Sequence, residues 1–320
     1  MKHHLLFAAS LLLAAPALIA QVKPLKVFIL AGQSNMQGQA VVDLTGKDYN
    51  DGKGTLATLY NDPVKAPIYK HLKTSDGKWA TRDDVWVQYQ RGDADLKVGP
   101  LGLGYSAYND NHHFGVELQF GHVMGDGIKN QVLLIKTAWG GKSLDVDFRP
   151  PSSGGQVGPF YTKMISEIND ALKNLKTNFP DYDGRGYEIQ GFVWWHGWND
   201  FCDPTMVPVY EQNLVNLIHD VRKDLKSPKL PVVIGDISGG WVKGDKEIPQ
   251  AAIAIKKAQK DAAEKPNFKG TVKLVETIDF VRKPEDSPHP GHIHHECGNA
   301  ETYFLIGDAL GKAMLSLMPK

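Results

Sequence analysis

Apolar positions along this chain follow two alternating rhythms. Short, largely apolar runs occur at Lys26–Leu30, Gln131–Lys136, Ile189–Trp194, Leu230–Ile234 and Val272–Glu276. Each predicts a strand buried on both faces. Between and after them, apolar residues recur at three- and four-residue steps. Gly115–Met124 carries Val116, Leu118, Phe120 and Val123, and Phe160–Phe179 carries Met164, Ile165, Ile168, Ala171, Leu172 and Leu175. Val209–Leu225 carries Leu214, Leu217, Ile218 and Val221, and Ile248–Glu264 and Ala300–Leu317 complete the helical set. Strand followed by helix, repeated, predicts an α/β fold: a mostly parallel sheet with helices on both faces, a three-layer α/β/α sandwich.

Two regions break the rhythm. Residues 40–114 are rich in Asp, Gly, Asn, Tyr and Lys, without a long periodic segment. They read as an ordered, loop-rich insertion near the site, because they carry Trp79, Trp86, Tyr89 and Tyr105. Residues 1–20 read as a secretory signal peptide: Lys2 precedes an apolar core from Leu5 to Ala15, and cleavage sites follow Ala17 or Ala20. That core is too short for a spanning helix. The expectation is an exported protein, periplasmic or extracellular, with one domain over residues 21–320.

Composition narrows the partners. Lys plus Arg number 36 and Asp plus Glu number 36, so no electrostatic case exists for nucleic acid or an anionic membrane. With 7 Trp and 11 Tyr, the chain suits an enzyme or a sugar-binding surface.

The chemistry gathers where predicted strands end, which is where open α/β sheets place their sites. After the first strand comes Gly32-Gln33-Ser34-Asn35-Met36. Ser34 is a candidate nucleophile, needing a base to remove its proton; taken alone, helix capping explains it better. After the second strand, Trp139-Gly140-Gly141 offers backbone amides that can approach a substrate closely, or a plain turn. After the third, His196-Gly197-Trp198-Asn199-Asp200 offers the Asn199 amide as an oxyanion donor, or a turn former. The fourth stretch, before the last helix, holds His289, His292, His294 and His295 with Glu285, Asp286, Glu296 and Cys297. One of these histidines would serve as general base, oriented by a carboxylate. A metal site is the competing reading, ranked below it because the spacing matches no standard zinc pattern.

Together, in this order, the four stretches resemble the SGNH-type hydrolases, and more closely their sialate O-acetylesterase-like branch, which includes carbohydrate esterase family 6. Gly-Gln-Ser-Asn-Met at 32–36 is similar to that branch's nucleophile block, Gly140 to the second block, and Gly197-Trp198-Asn199-Asp200 to the third. The resemblance spans roughly residues 25 to 318 and implies a flavodoxin-like sheet. It also implies a serine esterase that removes O-acetyl groups from a carbohydrate through an acetyl-Ser34 intermediate, without a cofactor or metal. The oxyanion hole would consist of Ser34, Gly140 and Asn199, and Gln33, Trp139, His196 and Trp198 would meet the substrate. Position relative to the last helix points to His295 as base, whereas Asp286-x-x-His289 spacing points to His289. Asp286 is the first choice of acid, with Glu285 and Glu296 as rivals. Relatives often carry Gln where His196 stands.

If these blocks converge, Cys202 and Cys297 come close, and an exported chain could bridge them; two unlinked thiols are the alternative. A carbohydrate-binding protein on a degenerate esterase fold is the second functional class, and a metal-dependent hydrolase the third. Sialic acid, xylan, pectin and sulfated algal glycans all remain open as the acetylated partner.

Overall fold

A computed structural model describes residues 23–318, apart from residues 93, 95, 245 and 246; the segment read as a signal peptide lies outside the described residues. The strands are β1 (Leu25–Gly32), β2 (Ala40–Val41), β3 (Arg82–Gln90), β4 (Leu96–Leu101), β5 (His113–Phe114), β6 (Val132–Ala138), β7 (Tyr187–Trp195), β8 (Val232–Gly235) and β9 (Val272–Val275). The helices are α1 (Ser34–Gln37), α2 (Leu56–Asn61), α3 (Ala66–Tyr69), α4 (Glu117–Gly127), α5 (Pro159–Lys173), α6 (Leu175–Asn178), α7 (Trp198–Phe201), α8 (Tyr210–Asp224), α9 (Gln250–Ala263) and α10 (Ala300–Leu317).

Seven strands form the main sheet in the order β4-β3-β6-β1-β7-β8-β9. All its neighbours run parallel except β3 with β4. The apolar run of β1 places it at the centre of this sheet, and strand alternation divides its side chains between two cores. Val27, Ile29 and Ala31 pack with Met164 and Ile168 of α5 and with Leu214 and Leu217 of α8. Phe28 and Leu30 pack with Phe120 of α4 and with Tyr303, Ile306 and Leu310 of α10. The expected α/β/α sandwich is the observed fold.

Two elements differ from the pattern-based reading. The 40–114 region contributes β3 and β4, an antiparallel hairpin that extends the main sheet past β6. Val85, Val87 and Tyr89 alternate along β3 and are buried, but the charged run Arg82-Asp83-Asp84 before them obscures the period in sequence. Trp86 accordingly lies in the sheet, stacked on Phe179 at 4.8 Å. The single helix expected over Phe160–Phe179 breaks at Asn174 (φ −102°, ψ 20°), whose side-chain amide donates to the Asp170 carbonyl at 2.8 Å. Such a local bond competes with the helical ladder.

Candidate active site

The site lies where β1, β6 and β7 end side by side. Gly32 pairs with Ala138 on one flank and with Trp195 on the other, so the three strands stop level with one another. A Cβ on Gly32 would stand 2.1 Å from the Trp195 carbonyl oxygen, so no side chain fits there. The chain then turns directly into the single-turn helix α1, whose first residue is Ser34. Gly140 follows β6: a Cβ there would fall 3.7 Å from Cβ of Ser34 and 2.9 Å from Gln37 Oε1. Its amide makes no hydrogen bond within the protein among the described residues. Asn199, in α7 after β7, donates from Nδ2 to the Gly141 carbonyl at 2.8 Å, which leaves its second amide hydrogen free. Serine, glycine and asparagine thus come from three adjacent strand ends.

Several residues cross-link these ends. Gln33 is buried, and its Oε1 accepts from the Gly197 amide at 3.0 Å. The buried Asp200 carboxylate accepts from the amides of Leu144, at 3.0 and 2.9 Å, and of Asp145, at 3.1 Å. Burial pushes its pKa up to about 7 against the pull of those amides. His196 is buried too: Nε2 lies 2.8 Å from the Lys142 carbonyl and Nδ1 3.2 Å from the Tyr210 hydroxyl. Burial depresses its pKa to about 3, so it is a neutral strut that holds the 140–142 turn. Gln33 and His196 are therefore both committed to protein partners. Trp139 packs in the core against Phe148 and Phe160, 5 % exposed, which removes it from reach of a ligand. Of the four residues expected to touch substrate, Trp198 is the one left half-buried with its ring in an open cluster.

His295 lies in the loop before α10, and that loop packs against α1. Asn299 caps that helix by accepting from the Thr302 amide, and its own amide donates to Ser287 Oγ at 3.0 Å. Glu296 and Cys297 hold left-handed backbone at φ 51° and 53°, a costly conformation for residues other than glycine. The turn points the Glu296 side chain inward, where Asn35 Nδ2 donates to Oε1 at 3.1 Å. The Tyr303 hydroxyl donates to Asn35 Oδ1 at 2.7 Å and to the His295 carbonyl at 3.4 Å. The residues following the serine and the histidine are therefore joined directly. Burial, and then the imidazoles of His294, His292 and His289, push the His295 pKa down to about 3, so the ring is neutral at physiological pH.

No carboxylate pairs with His295 among the described residues. Asp286 is exposed and lines a separate hollow with Lys53, Asp62, Lys65 and Arg282. Pro284–Asp286 forms a short turn, and the Asn299 amide donates to the Asp286 carbonyl at 3.4 Å and to Ser287 Oγ at 3.0 Å. Glu285 is likewise exposed and faces Lys283. Glu296 is fully buried; desolvation raises its pKa to about 8, so it is a neutral acid at physiological pH. His289 packs on Tyr49 at 4.7 Å and on His292 at 5.1 Å. Among the described residues no group of three or more His, Cys, Asp or Glu is arranged to hold a metal ion. Cys202, exposed, and Cys297, buried, are both free thiols.

A buried ion pair beside the Ser34 helix escaped the sequence reading. Lys136 Nζ donates to Glu117 Oε2 at 2.6 Å, to the Gln37 carbonyl at 2.8 Å and to the Tyr105 carbonyl at 2.5 Å. Both charged side chains are fully buried. One signal was available: a lysine inside the otherwise apolar run Val-Leu-Leu-Ile-Lys-Thr-Ala.

Ser34, Gly140 and Asn199 stand at the carboxyl ends of three adjacent parallel strands, where open α/β sheets place their sites. The model of the family described as carbohydrate esterase, sialic acid-specific acetylesterase matches residues 24–316, and the chain belongs to this family. The probable carbohydrate esterase At4g34215 of Arabidopsis thaliana is 25% identical over 250 residues, covering 75% of this chain and 79% of that protein. The solved structure of AT4G34215 superposes with a TM-score of 0.57 at 17% identity, covering 92% of this chain and 99% of that one. NanS superposes with a TM-score of 0.56 at 15% identity over 93% and 98% of the two chains. XAC1771, a carbohydrate acetylesterase from Xanthomonas citri, gives 0.51 at 12% identity, over 90% of this chain and 55% of that one. The protein is a carbohydrate esterase.

Proposed function

We propose that this chain is an exported serine esterase that removes O-acetyl groups from a carbohydrate. Ser34 Oγ attacks the acetyl carbonyl carbon while His295 takes the hydroxyl proton. The carbonyl oxygen becomes an oxyanion, held by the backbone amides of Ser34 and Gly140 and by Asn199 Nδ2. Collapse breaks the bond to the sugar oxygen, which leaves with the proton from His295, and acetyl-Ser34 remains. Water activated by His295 then attacks, releasing acetate and restoring the serine. No charged partner sits behind the imidazole in this scheme; His294 and the backbone turn at Glu296 orient it. The single observation that carries the proposal is the placement of Gly140 against Ser34, with Asn199 tied to the adjoining Gly141.

Acetate release from an acetylated aryl substrate and from acetylated glycans tests it. Ser34→Ala should lose at least about 10⁴-fold in kcat. Full activity in that variant would overturn the nucleophile assignment, and binding of glycan with no acetate release by the wild type would leave a carbohydrate-binding protein.

A further inference from the structure

Outward from His295 runs an unbroken series of rings. His294 lies 4.0 Å from His295, Trp198 lies 5.9 Å from His294, and Trp241 lies 5.3 Å from Trp198 with the two indoles 11° from parallel. Phe201 meets both indoles edge-on, at 4.7 Å and 5.9 Å. Trp241 belongs to the loop after β8, and its placement depends on two glycines. A Cβ on Gly239 would stand 2.8 Å from Trp198 Cζ3 and 3.0 Å from Trp241 Cζ3. One on Gly240 would stand 2.9 Å from Ile293 and 3.0 Å from Cys297 Sγ. The Gly240 amide donates to the Ile293 carbonyl at 2.8 Å, which fastens this loop to the one carrying the base. Trp198, Phe201 and Trp241 nevertheless remain half-buried. Apolar ring surface left in water next to a site is surface that a ligand can cover. A pyranose suits it: the C–H bonds on one face of the sugar meet the negative face of an indole.

We propose that Trp241 and Trp198 form a stacking platform for a sugar ring removed from the acetylated one, so that the substrate is an acetylated oligosaccharide or polysaccharide rather than a free acetylated monosaccharide. This rests on the esterase reading above, and deepens it by setting the substrate's length class. The experiment compares kcat/KM for acetate release from peracetylated monosaccharide and tetrasaccharide pairs: xylose with xylotetraose, glucose with cellotetraose, mannose with mannotetraose. The wild type should favour the tetrasaccharide by about 10-fold or more in at least one pair. In Trp241→Ala that ratio should fall to about one through KM, and Trp241→Phe should keep most of it. Trp241→Leu, which retains apolar volume over Gly239, gives the same reading should the alanine variant fail to fold. No chain preference in any pair, or a preference that survives loss of the indole, overturns the proposal. Aryl acetate hydrolysis by Ser34→Ala reports separately on the esterase reading.

Discussion

One amide hydrogen of Asn199 is anchored on Gly141 and the other is free, so its contribution to turnover should be separable from its contribution to folding. Asn199→Ala should lower kcat by about 10²–10³ with little change in KM, the usual cost of losing one oxyanion donor. Asp286→Asn should stay within about threefold of wild type, against the ~10⁴-fold loss expected of a true triad acid. Steady-state kinetics on an aryl acetate read both, and a large loss in the Asp286 variant would restore that residue to the triad. Glu296 makes a different prediction. Its carboxyl titrates at about 8 in the fold against 4.5 for a solvated glutamate. Between those values the folded protein holds a proton that the unfolded chain has released, so its contribution to stability falls as pH rises through this window and levels off above it. Burial outweighs the hydrogen bonds from Ser238 and Asn35 and the pull of Lys256, so the charged form is poorly compensated. Glu296→Gln should therefore be more stable than wild type at pH 8, by on the order of a few kcal/mol, and should converge with it below pH ~4.5. Urea melts across pH check this, and a variant weaker than wild type at both ends sinks it. The strand ends that carry Ser34, Gly140 and Asn199 were legible because each follows directly on a largely apolar run. The carboxylate was not legible, because a His-rich loop offers acids at many spacings and only the left-handed turn at Glu296 and Cys297 decides where each side chain points.

At the scale of elements, β6 carries a cation in its interior. The Lys136 ammonium bonds Glu117 at the start of α4 and the carbonyl of Gln37 at the end of α1, joining three elements. Desolvation lowers the lysine pKa, opposed by the attraction of Glu117. Lys136→Met should cost roughly 3–5 kcal/mol, because Glu117 is left buried and unpaired. Combining it with Glu117→Leu should recover most of the loss, and thermal melts of the two single variants and the double distinguish these outcomes. Equal destabilisation in single and double variants would mean that the bond to Gln37, rather than the ion pair, carries the stability. The β3–β4 hairpin shows why element-scale reading stopped short. In β3 the apolar period covers only Val85, Val87 and Tyr89, interrupted by the buried Gln88 and preceded by charged residues, too few positions to stand out beside the buried runs of β1 and β6.

Over the whole molecule, the alternation of strand and helix sufficed for the α/β/α class because the central parallel strands are buried and read as largely apolar runs. What the alternation could not supply was spatial order. β1, first of the long strands in sequence, is the central strand of the sheet, and its flanking partners β6 and β7 begin more than a hundred residues later. That order has a consequence for how the catalyst comes into being. Every strand of the sheet is complete by Val275, and with them the turns bearing Ser34, Gly140 and Asn199. The histidine arrives twenty residues later, and it is held by Tyr303 on the final helix. A chain emerging from a ribosome would thus possess the turns bearing Ser34, Gly140 and Asn199 long before the loop bearing His295. On the proposed mechanism, the esterase stays silent until the last helix docks, and unfolding that begins by releasing that helix would switch the enzyme off while the sheet still stands.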